Sequence, residues 1–412
     1  MDTSGKPSPG TPSVLLDVLP AGSPQHGIVQ TQYYPFIDGL RGLAVLMVLA
    51  LHTSMTGPPL AQETLRALVS NGRKGVQLFF ILSAFTLFST SFQRFPHEKH
   101  PARNFYIRRA FRILPLWWMC IGLYAFAYQH LGIHFDSLAP SAWEVLLDAS
   151  FLFGFSPTHM RPIVAGGWSL FIEESFYWFL PLLFGYVNNI ERAATLTLTL
   201  IAVSVAWNPV SRVMMHGNPL WSTFYSFFPL YQWFIFGLGF VLYFLILGQA
   251  QRPLSIPLVR LLDVITGITL WAALVSQPIG PDIYVASMAL GALCFAASRR
   301  GSLWAALLDI PPLRAFGQCC FSIYLLHSLL LRLAEPLRMP FLTELGLASA
   351  HPDLGFLGWF VMMALSAFAI GQVSFRLFEK PLVRLGQRTI AWLNARERGR
   401  SPERSPHFEG LG

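Results

Sequence analysis

The chain has 412 residues, of which 53% are hydrophobic, 14% aromatic and only 12% charged, with a formal net charge of +8. A soluble chain carries about a quarter charged residues, so this composition excludes a water-soluble globular fold and indicates an integral membrane protein. The basic residues flank apolar stretches instead of filling one domain, which argues against nucleic-acid binding.

Residues 1–32 are rich in Pro, Ser and Gly and hold a single Lys or Arg, Lys6. They lack a basic region followed by an apolar core, so a disordered tail is expected and not a secretory signal. A membrane domain follows over 33–387, and a polar tail over 388–412. Ten apolar stretches predict membrane helices near 39–56, 74–93, 112–131, 167–187, 195–207, 222–247, 257–276, 282–298, 315–335 and 355–377. Segment 142–156 is shorter, carries Glu144 and Asp148, and reads as an interfacial or re-entrant helix. The expected fold is an all-α polytopic bundle of about ten transmembrane helices. If the spans alternate, most of the 29 Lys and Arg residues share the N-terminal side, with clusters at Arg94–Arg112 and Arg376–Arg404. The positive-inside rule then predicts cytoplasmic N- and C-termini. Cys120, Cys294, Cys319 and Cys320 lie in or beside apolar stretches and read as small packers, so no disulfide framework or metal site is expected.

Ionisable groups within such spans cost roughly 2.5–3.5 kcal/mol each and mark function by default. The first span carries two, Arg41 and His52, in "DGLRGLAVLMVLALH". Eleven residues of helix bring His52 back to about 20° from Arg41 and about 16 Å along the axis. One face thus offers a fixed charge near one membrane surface and a titratable base deeper in, with Asp38 as the expected N-cap. A snorkelling arginine and a helix-packing histidine are the plainer readings of each residue alone. In the second span, Gln77 and Ser83 are polar; serine there serves a pocket or interhelical packing. "NFYIRRAFRILPLWW" sets Arg108, Arg109 and Arg112 at the mouth of the third span, Arg109 and Arg112 sharing a face. Clustered guanidiniums suit multiply charged phosphates; anchoring to anionic lipid is the competing role.

The fourth span, "GGWSLFIEESFYWFLPLLF", has a narrow polar stripe of Ser169, Glu173, Tyr177 and Pro181. Glu173 is expected to face inward, with Glu174 a secondary neighbour on the Leu170–Trp178 stripe. Alternating spans put His52 and Glu173 in the same half of the bilayer. A carboxylate beside an imidazole fixes its tautomer and supports the imidazolium. Such a pair suits proton removal from an alcohol, or simply locks two helices. "CFSIYLLHSLLL" places His327 mid-span, either a second pocket residue or a packed core histidine.

These segments, in this order, resemble the acyltransferase 3 family of multi-pass membrane acyltransferases. The matching elements are "DGLRGLAVLMVLALH" with its Arg-x10-His spacing, "GVQLFFILSAF", "FYIRRAFRILP", "WSLFIEESFYWFLPLL", "FSIYLLH" and "FEKPL", covering roughly residues 34–384. The resemblance implies an enzyme, O-acetyltransferase-like, that takes an acyl group, commonly acetyl, from cytoplasmic acyl-CoA. Its acceptor would be a hydroxyl of an extracytoplasmic carbohydrate or lipid-linked glycan. By the same resemblance His52 matches the catalytic histidine, Arg41, Arg109 and Arg112 the donor-side arginines, and Glu173 the glutamate of the Trp-Ser-Leu segment. Ser83, Trp168, Tyr177 and His327 complete the expected pocket. Acyl-CoA is a co-substrate, and no permanently bound cofactor is expected. Membrane lipid is a further partner, and the expected location is the cell membrane, the inner one if bacterial. Two departures stand out: Ala84 replaces a usual Gly after Ser83, and "LLHSLLL" lacks the usual Pro after the His. Some relatives add a soluble esterase-like domain, which is not expected here.

The expected mechanism has arginines holding the CoA phosphates at the inner mouth, with the thioester reaching His52 along a polar seam. His52, oriented by Glu173, deprotonates the acceptor; an acyl-histidine intermediate is the alternative. A proton-coupled transporter of a small anion or lipid-linked sugar would use the same residues but predicts inverted repeats, which the sequence lacks. A non-catalytic sensor or scaffold would tolerate loss of His52 and Glu173.

Overall fold

A computed structural model describes residues 34–56, 60–135, 140–214, 219–251, 254–275, 282–344 and 351–397. The segment expected as an N-terminal tail, 1–32, lies outside the described residues. Every regular element among the described residues is helical. The chain opens with α1 (Pro35–Met55), α2 (Glu63–Ser70), α3 (Gly75–Arg94) and α4 (Pro101–Leu131). There follow α5 (Ala142–Ala149), α6 (Trp168–Tyr186), α7 (Ile190–Met214), α8 (Pro219–Phe227), α9 (Pro229–Gln232) and α10 (Phe234–Gln251). The bundle closes with α11 (Ile256–Leu274), α12 (Asp282–Ala297), α13 (Leu303–Leu308), α14 (Pro311–Gln318), α15 (Cys320–Glu344), α16 (Pro352–Ser374) and α17 (Lys380–Arg396).

Eight helical stretches among the described residues are long and apolar enough to cross a membrane. The predicted spans at 167–187 and 282–298 correspond to α6, whose paired carboxylates make it more polar, and to α12, which is shorter. Several boundaries differ from expectation: the span expected at 112–131 starts at Pro101 in α4, and the one expected at 315–335 is broken between α14 and α15. The span expected at 195–207 is the longer α7, and the one expected at 222–247 begins as the short helices α8 and α9 before α10. α17 runs to Arg396, so the expected polar tail starts inside a helix. Asp38 is not the N-cap: Tyr34 caps α1 with Pro35 at its first position, where the missing N–H is no loss. Asp38 is instead buried in the first turn, 3.5 Å from the Arg41 guanidinium.

Burial ranks the helices. The most apolar window of α1 is 61% buried and that of the Glu63–His97 stretch 67%, against 17% for Ile190–Ser211. α1 and α3 are therefore central, and α7 is an outer helix. The first motif explains how α1 gets so close to its neighbour. Side chains at Gly39 and Gly42 would run into the carbonyl oxygens of Leu308 and Leu313, and one at Gly317 into that of Asp38. α1 and α14 thus cross backbone to backbone, as small residues allow in membrane helices. Gly42→Ala is expected to cost about 1–3 kcal/mol by overpacking, read as a lower Tm of the detergent-solubilised protein.

The unusual Ala84 has a counterpart in the packing. It is fully buried on α3 and faces Gly239 of α10, where a Cβ would collide with Ala84 Cβ and the Ile81 carbonyl. The glycine that permits close approach sits on the partner helix. Aromatic side chains fill this interface: Phe80 and Phe176 both stack on Phe236, with centroids 4.8 and 4.4 Å away. Buried Lys74, just before α3, donates to the Ala273 carbonyl at 2.5 Å, and Asn71 Nδ2 donates to the Leu274 carbonyl at 2.7 Å. Both satisfy the otherwise orphaned C-terminus of α11.

The segment 142–156 forms α5 and a short 3₁₀ turn, Leu152–Phe155, too short to span. Its Asp148 is buried, and one carboxylate oxygen accepts the Ile163 N–H at 2.6 Å, pinning the loop that leads to α6. Burial pushes the Asp148 carboxyl up to about 7, against the lowering effect of the Ile163 N–H. The folded value exceeds the ordinary 3.8, so this group's stabilisation is complete below about pH 4 and lost as pH rises through 7. The wild-type Tm is expected to fall between pH 5 and pH 8, and Asp148→Asn to flatten that fall; equal slopes in both proteins would contradict it.

Candidate active site

α1 and α15 run side by side in the same direction, and two clusters lie along them. At the N-terminal end, a cavity of about 300 Å³ opens between α1, α3, α4, α6, α15 and α17. Five arginines line it: Arg41, Arg94, Arg108, Arg109 and Arg112. Their origins follow from antiparallel order, since the start of α1, the end of α3 and the start of α4 meet at one end of the bundle.

Two of the five are occupied. Arg41 donates to Thr86 Oγ1 at 2.9 Å and sits beside Asp38. Arg108 grips Glu98 with two nitrogens, at 2.7 and 3.2 Å. Arg94, Arg109 and Arg112 make no hydrogen bond or ion pair with any described residue. Arg109 lies over the Tyr177 ring, 5.8 Å from its centroid, a weak cation–π contact. Three guanidiniums sharing a confined space repel one another unless an anion joins them.

Glu173 is the carboxylate lining this cavity, and it accepts hydrogen bonds from Ser83 and Tyr177. Ser169, one turn earlier, meets Tyr324 Oη at 2.5 Å, and Tyr324 also donates to the Gly166 carbonyl at 3.0 Å. The polar stripe on α6 therefore faces α3 and α15. Glu174 is not directed away: its Oε1 is buried with no hydrogen-bond partner among the described residues.

The second cluster lies about one turn past Tyr324. His52 Nδ1 is 2.9 Å from the Val48 carbonyl and 3.2 Å from His327 Nε2. His327 Nδ1 is 2.6 Å from the Tyr324 carbonyl, and Ser328 Oγ is 3.1 Å from His327 Nε2. The two rings are 4.8 Å apart. His52 is half-buried, whereas His327 is buried.

Several sequence expectations need correction. His52 is not paired with Glu173; its partner is His327, because Glu173 turns toward Ser83 and Tyr177 on the arginine side. Arg41 and His52 share a helix but not a cavity: neither His52 nor His327 lines the arginine cavity, which ends at Tyr324 and Ser169. Trp168 and Tyr177 are also absent from its lining. Trp168 stacks on Phe227, with centroids 3.8 Å apart, and Tyr177 is buried beneath Glu173. Ser83 does line it. Gln77 meets Ser287 of α12 at 3.5 Å and belongs to the helix packing. Sequence reasoning missed Arg94, Thr86, Tyr324 and Gln387 as cavity residues. Arg94 stood at the edge of the recognised basic cluster, and Tyr324 one turn from His327. Gln387 carried no signal, since the segment beyond 387 read as a tail.

A family model described as an acyltransferase domain matches residues 34–376. The peptidoglycan O-acetyltransferase OatA of Listeria monocytogenes is 26% identical over 385 residues, covering 86% of this chain and 56% of that protein. The O-acetyltransferase OatA of Staphylococcus aureus is 23% identical over 394 residues, covering 88% of this chain and 59% of that protein. The chain thus spans a little over half the length of the curated relatives it matches. No solved structure matches it.

Proposed function

The chain belongs to the acyltransferase 3 family, and on that premise we propose a membrane O-acyltransferase moving an acetyl-sized acyl group from acyl-CoA to a hydroxyl of a cell-wall glycan. The observation that carries the donor half is the cavity in which Arg94, Arg109 and Arg112 make no hydrogen bond or ion pair with any described residue. A CoA thioester brings phosphates for that end and a long arm, which reaches His52 once the Tyr324–Ser169 contact closing the cavity parts. The acceptor half draws on the similarity to peptidoglycan O-acetyltransferases and on His52.

His52 supplies the base. Its Nδ1 faces a carbonyl, which can only accept, so Nδ1 carries the proton and Nε2 keeps the lone pair. Among the described residues, Nε2 has no hydrogen-bond partner. It takes the proton of the acceptor hydroxyl as that oxygen attacks the thioester carbonyl. The carbon–sulfur bond breaks, and the imidazolium returns the proton to the departing thiolate, leaving an ester and free CoA. An acyl-histidine route would use the same Nε2 lone pair. Glu173 acts on the donor side, where its charge holds Ser83 and Tyr177 and faces the arginines.

The test is purified protein in nanodiscs with radiolabelled acetyl-CoA and peptidoglycan fragments. Covalent, alkali-labile label on the glycan together with free CoA is expected. Uptake of either compound without covalent label would replace this reading with transport.

A further inference from the structure

We propose that His327 is the positioning residue for His52, fixing which nitrogen of the base is free; the inference rests on the proposed role of His52. Hydrogen-bond direction fixes the protons of this pair. His327 Nδ1 lies 2.6 Å from the Tyr324 carbonyl, so that nitrogen is the donor and carries hydrogen. In the neutral ring His327 Nε2 must then be the lone-pair nitrogen. It is placed to accept from His52 Nδ1–H at 3.2 Å and from the Ser328 hydroxyl at 3.1 Å. Every contact agrees on one proton arrangement, with the His52 Nδ1–H shared between Val48 and His327.

That arrangement has a chemical consequence. The opposite His52 tautomer would set a lone pair on Nδ1 against a carbonyl oxygen and an imidazole lone pair, and would spend Nε2 as a donor. His327 disfavours that tautomer and holds the ring with Nε2 available. When His52 gains a proton, its Nδ1–H bond to His327 becomes charge-assisted and stronger. A neutral imidazole thus does here what a carboxylate does in serine hydrolase triads. The position is also built rigidly: His327 is 2% exposed, and Tyr124 Oη beside it accepts the Leu329 N–H and donates to the Leu325 carbonyl. Tyr324 links the two clusters, because its carbonyl orients His327 while its hydroxyl closes the arginine cavity against Ser169.

The experiment uses the full chain in nanodiscs, labelled with ¹⁵N-histidine, the His52 signals being assigned by their loss in His52→Ala. Wild-type His52 is expected to show a protonated Nδ1 and an unprotonated Nε2. His327→Leu, which leaves Nδ1 the Val48 carbonyl alone, should raise the share of the Nε2-protonated tautomer, lower kcat about 100-fold and leave the acetyl-CoA KM within about threefold. His327→Gln, whose amide oxygen can accept where Nε2 did, should restore the signature and most of the rate. A wild-type His52 protonated on Nε2, or a His327→Leu spectrum unchanged from wild type, would overturn the proposal whether or not the variants fold equally well. Rescue by Gln no better than by Leu would do the same. If the tautomer responds as expected while the wild type transfers no acyl group, the positioning role stands and the catalytic reading of His52 falls.

Discussion

His52→Ala is expected to lower acyl transfer by about 10²–10⁴-fold, the usual worth of a positioned general base, while the protein stays folded and inserted. Structurally, the substitution removes little. His52 is only half-buried, its Nδ1 bonds back to a carbonyl four residues earlier in its own helix, and its contact with His327 is long. The packing of α1 rests elsewhere, on Gly39, Gly42 and the buried apolar face from Leu40 to Leu49. A large kinetic loss with an unchanged Tm is therefore the signature of chemistry at Nε2. Transfer assays with labelled acetyl-CoA, paired with thermal melts of the same samples, read both quantities. Near-normal turnover would remove His52 from the mechanism.

The second large effect is expected at Arg112. A charge-assisted hydrogen bond is worth about 1.5–3 kcal/mol, so Arg112→Ala should weaken acetyl-CoA binding about 10- to 100-fold. Its effect on stability is the more discriminating result. Arg112 repels Arg109 but attracts the buried Glu379, so removing it relieves one charge interaction and loses another. Tm without donor should change little, whereas the gain in Tm on adding acetyl-CoA should shrink. Binding and melting measured across a salt series check both, because added salt screens these charge interactions and the binding together. A variant that loses stability and keeps its affinity would make Arg112 an anchor and not a ligand.

What the sequence made legible follows from which properties are local. Apolar runs of about 20 residues mark membrane helices wherever they fall, and eight helical stretches among the described residues are long and apolar enough to cross a membrane. The arginine cluster and the Ser169–Glu173–Tyr177 stripe were legible for the same reason, since helical spacing alone puts them on a face. Partner choice was not. Whether Glu173 meets His52 or Ser83 depends on helix rotation and tilt, which no one-dimensional pattern encodes, and the tertiary packing turned it toward Ser83 and Arg109. The Arg-x10-His spacing correctly put two groups on one helix, yet Tyr324 arrives from a helix nearly 300 residues away and closes the cavity between them. The glycines of "DGLRG" drew no attention as packing residues, because their reason is the backbone of α14. The Ala84 departure from the usual Gly has its counterpart in Gly239, which lies on α10.

On the proposed function, the arginine cavity is the donor end and His52 the acceptor end, with Tyr324 and Ser169 between them.

The most direct measurement is a cryo-EM structure of the chain in nanodiscs with a non-transferable CoA thioester analogue. Phosphate density is expected against Arg94, Arg109 and Arg112, with the arm running past Tyr324 and the acyl carbon near His52 Nε2. Phosphates bound away from that cavity, or an arm that leaves the bundle without approaching His52, would contradict it.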